Sequence, residues 1–171
     1  MTPQMLLVIC VLVGALGVLN VILTLGLVRH LRALQEVVQE GVFPDPDLPQ
    51  AGARVGGFEV TCVDGKALSD RDLGQDTLVG FFTSGCRPCA NLRSQLTRQP
   101  PGLPFIAFVE GDQDDPEVSE MVRVLSRLGS VALTTAGDTV TQAFKPSGFP
   151  TLIRTEQGVI AAAGHRLRQV L

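Results

Sequence analysis

The chain contains no tryptophan and no tyrosine, so stacking platforms for bases or ligands would have to come from its eight phenylalanines. Lysine is nearly missing as well: Lys66 and Lys145 apart, the basic side chains are arginines. With a net charge of −3 and no basic stripe, the sequence carries no electrostatic footprint for nucleic acid. Four cysteines in 171 residues are too few to build a disulfide scaffold, and their number alone does not fix a redox compartment. No internal repeat is apparent, and the length suits one domain with an appendage.

What is present centres on Leu78-Val79-Gly80-Phe81-Phe82-Thr83-Ser84-Gly85-Cys86-Arg87-Pro88-Cys89. The apolar run Thr77 to Phe82, bounded by Asp76 and Ser84-Gly85, predicts a strand. Pro88 and the following Cys89 to Leu96 predict a helix, with Leu92 and Leu96 on one face. A thiol just outside a helix N-terminus sees unpaired N–H groups and the positive end of the macrodipole, both of which favour thiolate. Arg87 adds a positive charge that tunes it further. Cys86 is therefore the expected nucleophile and Cys89 the resolving thiol. Zinc sites use the same C-x-x-C spacing, but a four-cysteine site needs a second pair, which Cys10 and Cys62 do not form. No metal is expected.

At these residues the sequence resembles the thioredoxin superfamily, in particular its membrane-tethered TlpA/ResA-type and MauD-like members. Gly148-Phe149-Pro150-Thr151-Leu152-Ile153, followed by Gly158-Val159-Ile160, carries the second match. The resemblance covers roughly residues 55 to 165. It implies an α/β thioredoxin-like fold: a mixed central sheet flanked by helices, with an N-terminal β-hairpin addition, after one transmembrane helix. It also implies a cis-proline at Pro150, lying against the cysteine pair and shaping with Phe149 the groove for a partner's backbone. The implied chemistry is thiol-disulfide exchange with a protein disulfide or dithiol, fed by an upstream thiol electron carrier and needing no cofactor. Relatives serve as reductases in cytochrome maturation or as maturation factors for a disulfide-rich subunit, and the expectation here leans to reductase.

Three positions depart from that pattern. Thioredoxins keep a buried acid on the first strand where this chain has Gly80. ResA-type proteins keep a glutamate three residues after the second cysteine, where Leu92 stands. The tryptophan that thioredoxins place before the first cysteine is Gly85. Glu59 is the candidate substitute for the missing acid, against the default of a solvated strand glutamate. A dedicated partner is expected rather than general thioredoxin activity.

Met5 to Val28 carries no charge and, at about 1.5 Å per residue, is long enough to span a hydrocarbon core of roughly 30 Å as a helix. A cleaved signal peptide fits less well, because no Lys or Arg precedes the run and no small-x-small site follows it. The expected organisation is a transmembrane helix over 5–28, a juxtamembrane helix and Pro/Gly-rich linker over 29–56, and a thioredoxin-like domain over 57–171. Arg29 and Arg32 after the span favour a cytoplasmic domain by the positive-inside rule, whereas the resemblance favours the extracytoplasmic side. The expectation follows the resemblance.

Further along, Asp64-Gly65 between Phe58–Val63 and Ala67-Leu68 signals a hairpin, with Cys62 structural. Phe105 to Val109 and Val131 to Thr135 predict strands. Val118, Met121, Val122, Leu125 and Leu128 give a helix its apolar face, capped by Asp114 or Asp115 with Glu117 complementing the dipole. The acidic Asp112-Gln113-Asp114 fails the calcium-loop spacing. Asp138 to Phe144 predicts a short helix, the last strands turn at Glu156-Gln157-Gly158, and Arg166 to Leu171 closes with another.

Two other functions are consistent with part of the pattern. Thr83-Ser84-Gly85-Cys86 matches the T-x-x-C of peroxiredoxins, although Val79 stands where their proline would be. A Cu(I)-delivery protein could use the two thiolates with His165, although such relatives carry a wider cysteine spacing.

Overall fold

The computed structural model describes residues 4, 12, 14, 16, 17, 20 and 47–171. The chain divides into two compact units, Met1–Asp45 and Pro46–Leu171. In the first, the described residues are helical. The membrane span expected over 5–28 falls largely outside the described residues, as do Arg29, Arg32 and the linker up to residue 46. Among the described residues, no helix is long and apolar enough to cross a membrane.

The second unit begins with a hairpin, β1 (Glu59–Thr61) and β2 (Ala67–Ser69), turning through Asp64-Gly65, where Gly65 takes a φ of 85°. A 3-10 turn over Asp70–Leu73 leads into β3 (Thr77–Thr83). Then follow α1 (Arg87–Arg98), β4 (Phe105–Glu110), α2 (Pro116–Leu125), β5 (Ser130–Thr134), α3 (Thr139–Phe144), β6 (Thr151–Glu156) and β7 (Val159–Gly164). The last element is a 3-10 turn, Leu167–Gln169.

β3 to β7 form one sheet in the order β5-β4-β3-β6-β7, with β3, β4 and β5 parallel and β6 and β7 antiparallel. β3 is central and buried from Thr77 to Phe82, which is why it reads as an unbroken apolar run rather than an alternating one. Its side chains alternate between two cores. Val79 and Phe81 join Phe58, Leu68, Ile106, Phe108, Val140 and Phe144 on the face covered by the hairpin and α3. Leu78 and Phe82 join Cys89, Leu92, Leu96, Val118, Met121 and Leu125 on the face covered by α1 and α2. The first core is built around four phenylalanine rings, with centroids 5.2 to 6.0 Å apart.

α2 starts where Asp115 accepts a hydrogen bond from Glu117 N at 2.8 Å, with Pro116 as its first residue. α3 starts at Asp138, which accepts from Thr141 N at 2.8 Å. Both caps satisfy N–H groups that the helix leaves unpaired.

The stretch 47–56, expected as the end of a linker, belongs to the folded unit instead. Gly52 N and Ile160 N exchange bonds with Ile160 O and Ala53 O, each at 2.8 Å, and Val55 N reaches Gly158 O at 2.9 Å. Val55 is buried. Glycine and proline content signalled a spacer, but the extended backbone also suits pairing with a sheet edge. At the opposite edge Cys62 bridges Ala132 of β5, and Val63 N donates to Val131 O at 2.8 Å.

Candidate active site

β3 runs out at Thr83, whose hydroxyl donates to Glu110 O at 3.3 Å across to β4. Ser84 and Gly85 turn the chain, with Gly85 at a φ of 68° that only glycine adopts without strain. Cys86 is the N-cap of α1 and Ala90 N makes the first helical bond to its carbonyl at 3.1 Å. Arg87 and Pro88 occupy the first turn, exposed, and Cys89 follows. Cys86 and Cys89 are disulfide-bonded, with Cα atoms 5.2 Å apart.

The two sulfurs have different surroundings. Cys89 is only 1 % exposed, packed in the α1–α2 core, whereas Cys86 is half-buried. An incoming sulfur can therefore reach Cys86 and not Cys89. Cys89 N donates to Cys86 Sγ at 3.2 Å, a contact that stabilises a thiolate there once the disulfide opens.

Phe149 and Pro150 face this pair. Cys86 Sγ lies 3.6 Å from Phe149 O, and the Phe149–Pro150 peptide is cis. Pro150 is buried and Phe149 packs against both cores. Thr151 Oγ1 donates to Gly148 O at 2.7 Å, tying the loop to the start of β6. The fold thus brings four of the sequence-predicted site residues, Cys86, Cys89, Phe149 and Pro150, to one end of the sheet, with Arg87 exposed beside them.

The space taken by a buried acid in thioredoxins is filled with hydrocarbon here. A Cβ placed on Gly80 would lie 2.7 Å from Phe82 Cε2 and 3.3 Å from Leu152 Cδ2. Leu92 is 4 % exposed in the same core. Glu59 does not replace the acid: it is exposed on β1, opposite Ser69, and the hairpin packs on the face away from α1. Residue type alone could not exclude it, because it depended on which face the hairpin covers.

Two further residues reach the site, Glu117 and His165, the second considered from sequence only as a Cu(I) ligand. Glu117, read only as a dipole complement, sends its carboxylate to Gly85 N at 3.0 Å, across from α2 to the redox loop. His165 Nδ1 is 2.7 Å from Pro150 O, behind the proline loop, so that nitrogen is engaged by the backbone. No local pattern marks either contact, since both join segments far apart in sequence.

Cys62 is buried and unbridged on the hairpin face, and burial, reinforced by Asp64, pushes its thiol pKa up. It takes no part in the pair. A hollow of about 270 Å³ bordered by Arg54, Leu73 and Gly158 lies at the other end of the sheet and touches none of the site residues.

No protein-family model matches the sequence, and no curated protein matches it either. Solved structures do. The thioredoxin domain of a thiol-disulfide oxidoreductase from Bacteroides vulgatus superposes with a TM-score of 0.57 at 19% identity, covering 71% of this chain and 92% of that one. A thio-disulfide isomerase from Thermus thermophilus gives 0.54 at 20% identity, covering 67% and 85%. A thiol:disulfide interchange protein from Bacteroides sp. gives 0.53 at 20% identity, covering 68% and 82%. At these identities the likeness establishes the fold: an α/β thioredoxin-like domain with a mixed sheet and an N-terminal hairpin.

Proposed function

We propose that this chain is a membrane-tethered thiol-disulfide oxidoreductase that acts on a protein disulfide through Cys86 and Cys89. The observation that carries the reading is the asymmetry of the pair: an accessible sulfur capping a helix N-terminus, bonded to a buried one three residues on. In the reducing direction the Cys86 thiolate attacks a partner disulfide, forming a mixed disulfide and expelling the partner's first thiolate, which takes up a proton. Cys89, deprotonated, then attacks Cys86 Sγ. The second partner thiol leaves, and two electrons have passed to the partner. Pro150 and Phe149 shape the groove that receives the partner backbone, and Arg87 favours the Cys86 thiolate. An upstream thiol carrier restores the dithiol.

The apolar run 5–28 supports a tether, and the likeness to TlpA/ResA-type and MauD-like sequences supports an extracytoplasmic domain serving a dedicated partner. The exposed Glu59 and the hydrocarbon around Gly80 and Leu92 leave Cys89 without a nearby shuttle from the family's usual positions, and Gly85 in place of the thioredoxin tryptophan favours a dedicated client over general disulfide reduction.

The test is the redox equilibrium of the full chain in detergent against glutathione buffers, read by differential alkylation of Cys86, with Cys86→Ser as control. A potential near or below about −250 mV fits a reductant, and one near −120 mV an oxidant. If no reversible Cys86–Cys89 bond forms, the oxidoreductase reading is lost. Labelling of Cys86 in intact cells by a membrane-impermeant maleimide, after reduction, tests the side of the membrane.

A further inference from the structure

The Glu117 side chain reaches the redox loop itself. Its position is fixed from both ends. Asp115 caps its backbone N–H at 2.8 Å. Gly111, at a φ of 148°, lets Val118 of the next turn approach so closely that a Cβ there would lie 2.6 Å from Val118 Cγ2. The first turn of α2 is thereby seated at the end of β4, beside the end of β3. From it the Glu117 carboxylate accepts from Gly85 N at 3.0 Å, one residue before the attacking sulfur.

Resting on the oxidoreductase reading above, we propose that Glu117 is a positioning residue that sets the redox poise of the Cys86–Cys89 pair toward reductant. The argument is one of charge balance between the two redox states. The disulfide is neutral, whereas the dithiol form can carry a thiolate on Cys86. The α1 N-terminus, Arg87 and the Cys89 N–H stabilise that thiolate, and the Glu117 carboxylate next door opposes them. Raising the energy of the thiolate raises the energy of the reduced state, so electrons leave for the partner disulfide more readily. Among the described residues, ionisable groups nearby include Glu110 at the end of β4, bonded through its carbonyl to Thr83, Asp112 in the loop before α2, bonded to Asp114 N, and His165, held on Pro150 O.

Glu117→Gln keeps an oxygen for Gly85 N and removes the charge, while Glu117→Ala removes both. In the full chain in detergent, Cys86 alkylation against pH and the glutathione equilibrium at each pH are measured together. Glu117→Gln is expected to shift the equilibrium toward the dithiol by about threefold or more above the Cys86 pKa. It is also expected to lower that pKa and to converge on the parent at pH values where both carry a thiol. A pH-independent shift, a shift only in Glu117→Ala, or no shift in either variant overturns the proposal. A parent chain with no reversible disulfide would instead remove the oxidoreductase reading itself, so the two failures are separable.

Discussion

A Cβ on Gly80 would meet the Phe82 ring at 2.7 Å, and both residues point into the core beneath α1. Gly80→Ala is expected to cost about 1–3 kcal/mol through forced displacement of that ring, read as a lower denaturation midpoint at unchanged slope. Gly80→Asp, which restores the thioredoxin acid in name, should cost more, because it also buries a carboxyl among apolar side chains. Cys62 offers a contrasting residue-level case. Burial holds its thiol pKa up, so in the native protein at mildly alkaline pH it should resist iodoacetamide while reduced Cys86 reacts. Equal labelling of the two would contradict the buried placement. Cys86 and Cys89 stood out in the sequence because strand, turn, cysteine pair and helix follow one another in a short stretch, and Pro150 through the resemblance of Gly148-Phe149-Pro150 ahead of an apolar strand. The contacts of Glu117 and His165 were not legible, because they span 32 and 15 residues and depend on how α2 is seated at the end of β4 beside β3 and on how β7 lies beside β6.

Among the elements, α2 begins at an aspartate cap, as the sequence pattern implied, and α3 begins at another, Asp138, which the pattern had placed within the helix. Asp115→Ala should destabilise by about 1 kcal/mol, a typical cap loss. The same substitution should disturb the Cys86–Cys89 equilibrium, since the turn carrying Glu117 loosens with it. Thermal melts and the glutathione equilibrium on one sample would show both effects. α3 contributes Phe144, packed against Phe58, Phe81 and Phe108 with centroids 5.3 to 5.7 Å away. Phe144→Ala should cost about 3–5 kcal/mol and loosen the hairpin as well, because Phe58 loses its tightest ring neighbour. The strands were readable from apolar runs, and the hairpin from Asp64-Gly65. The role of 47–56 was not, since an edge-pairing segment rich in glycine and proline has the same composition as a spacer.

For the molecule as a whole, the acid limb of stability has an identifiable contributor. Arg154 on β6 makes two hydrogen bonds of 2.8 Å to Asp76, just before β3, and this pairing holds the Asp76 carboxyl below its usual pKa. A group depressed in the folded state stabilises fully above its unfolded pKa of about 3.9, and that contribution fades as pH falls through the lower folded value. Asp76→Asn should therefore be less stable than the parent at neutral pH, with the gap closing at strongly acid pH. Urea midpoints across pH would show it. A larger consequence follows from the stretch that pairs with β7 through Gly52–Val55 and with β5 through Cys62 and Val63. On a ribosome this segment emerges before either strand it will bind, and the partner of Gly52 is Ile160. Phe58, Cys62 and Val63 can dock once β4, β5 and α3 exist, but until Gly158 to Ile160 have been made Gly52 to Val55 have nothing to pair with and that edge of the growing sheet stays open. The chain is thus synthesised with its fastener first and its fabric afterwards, so a transcript cut short before Gly158 should yield an aggregating product rather than a smaller working domain.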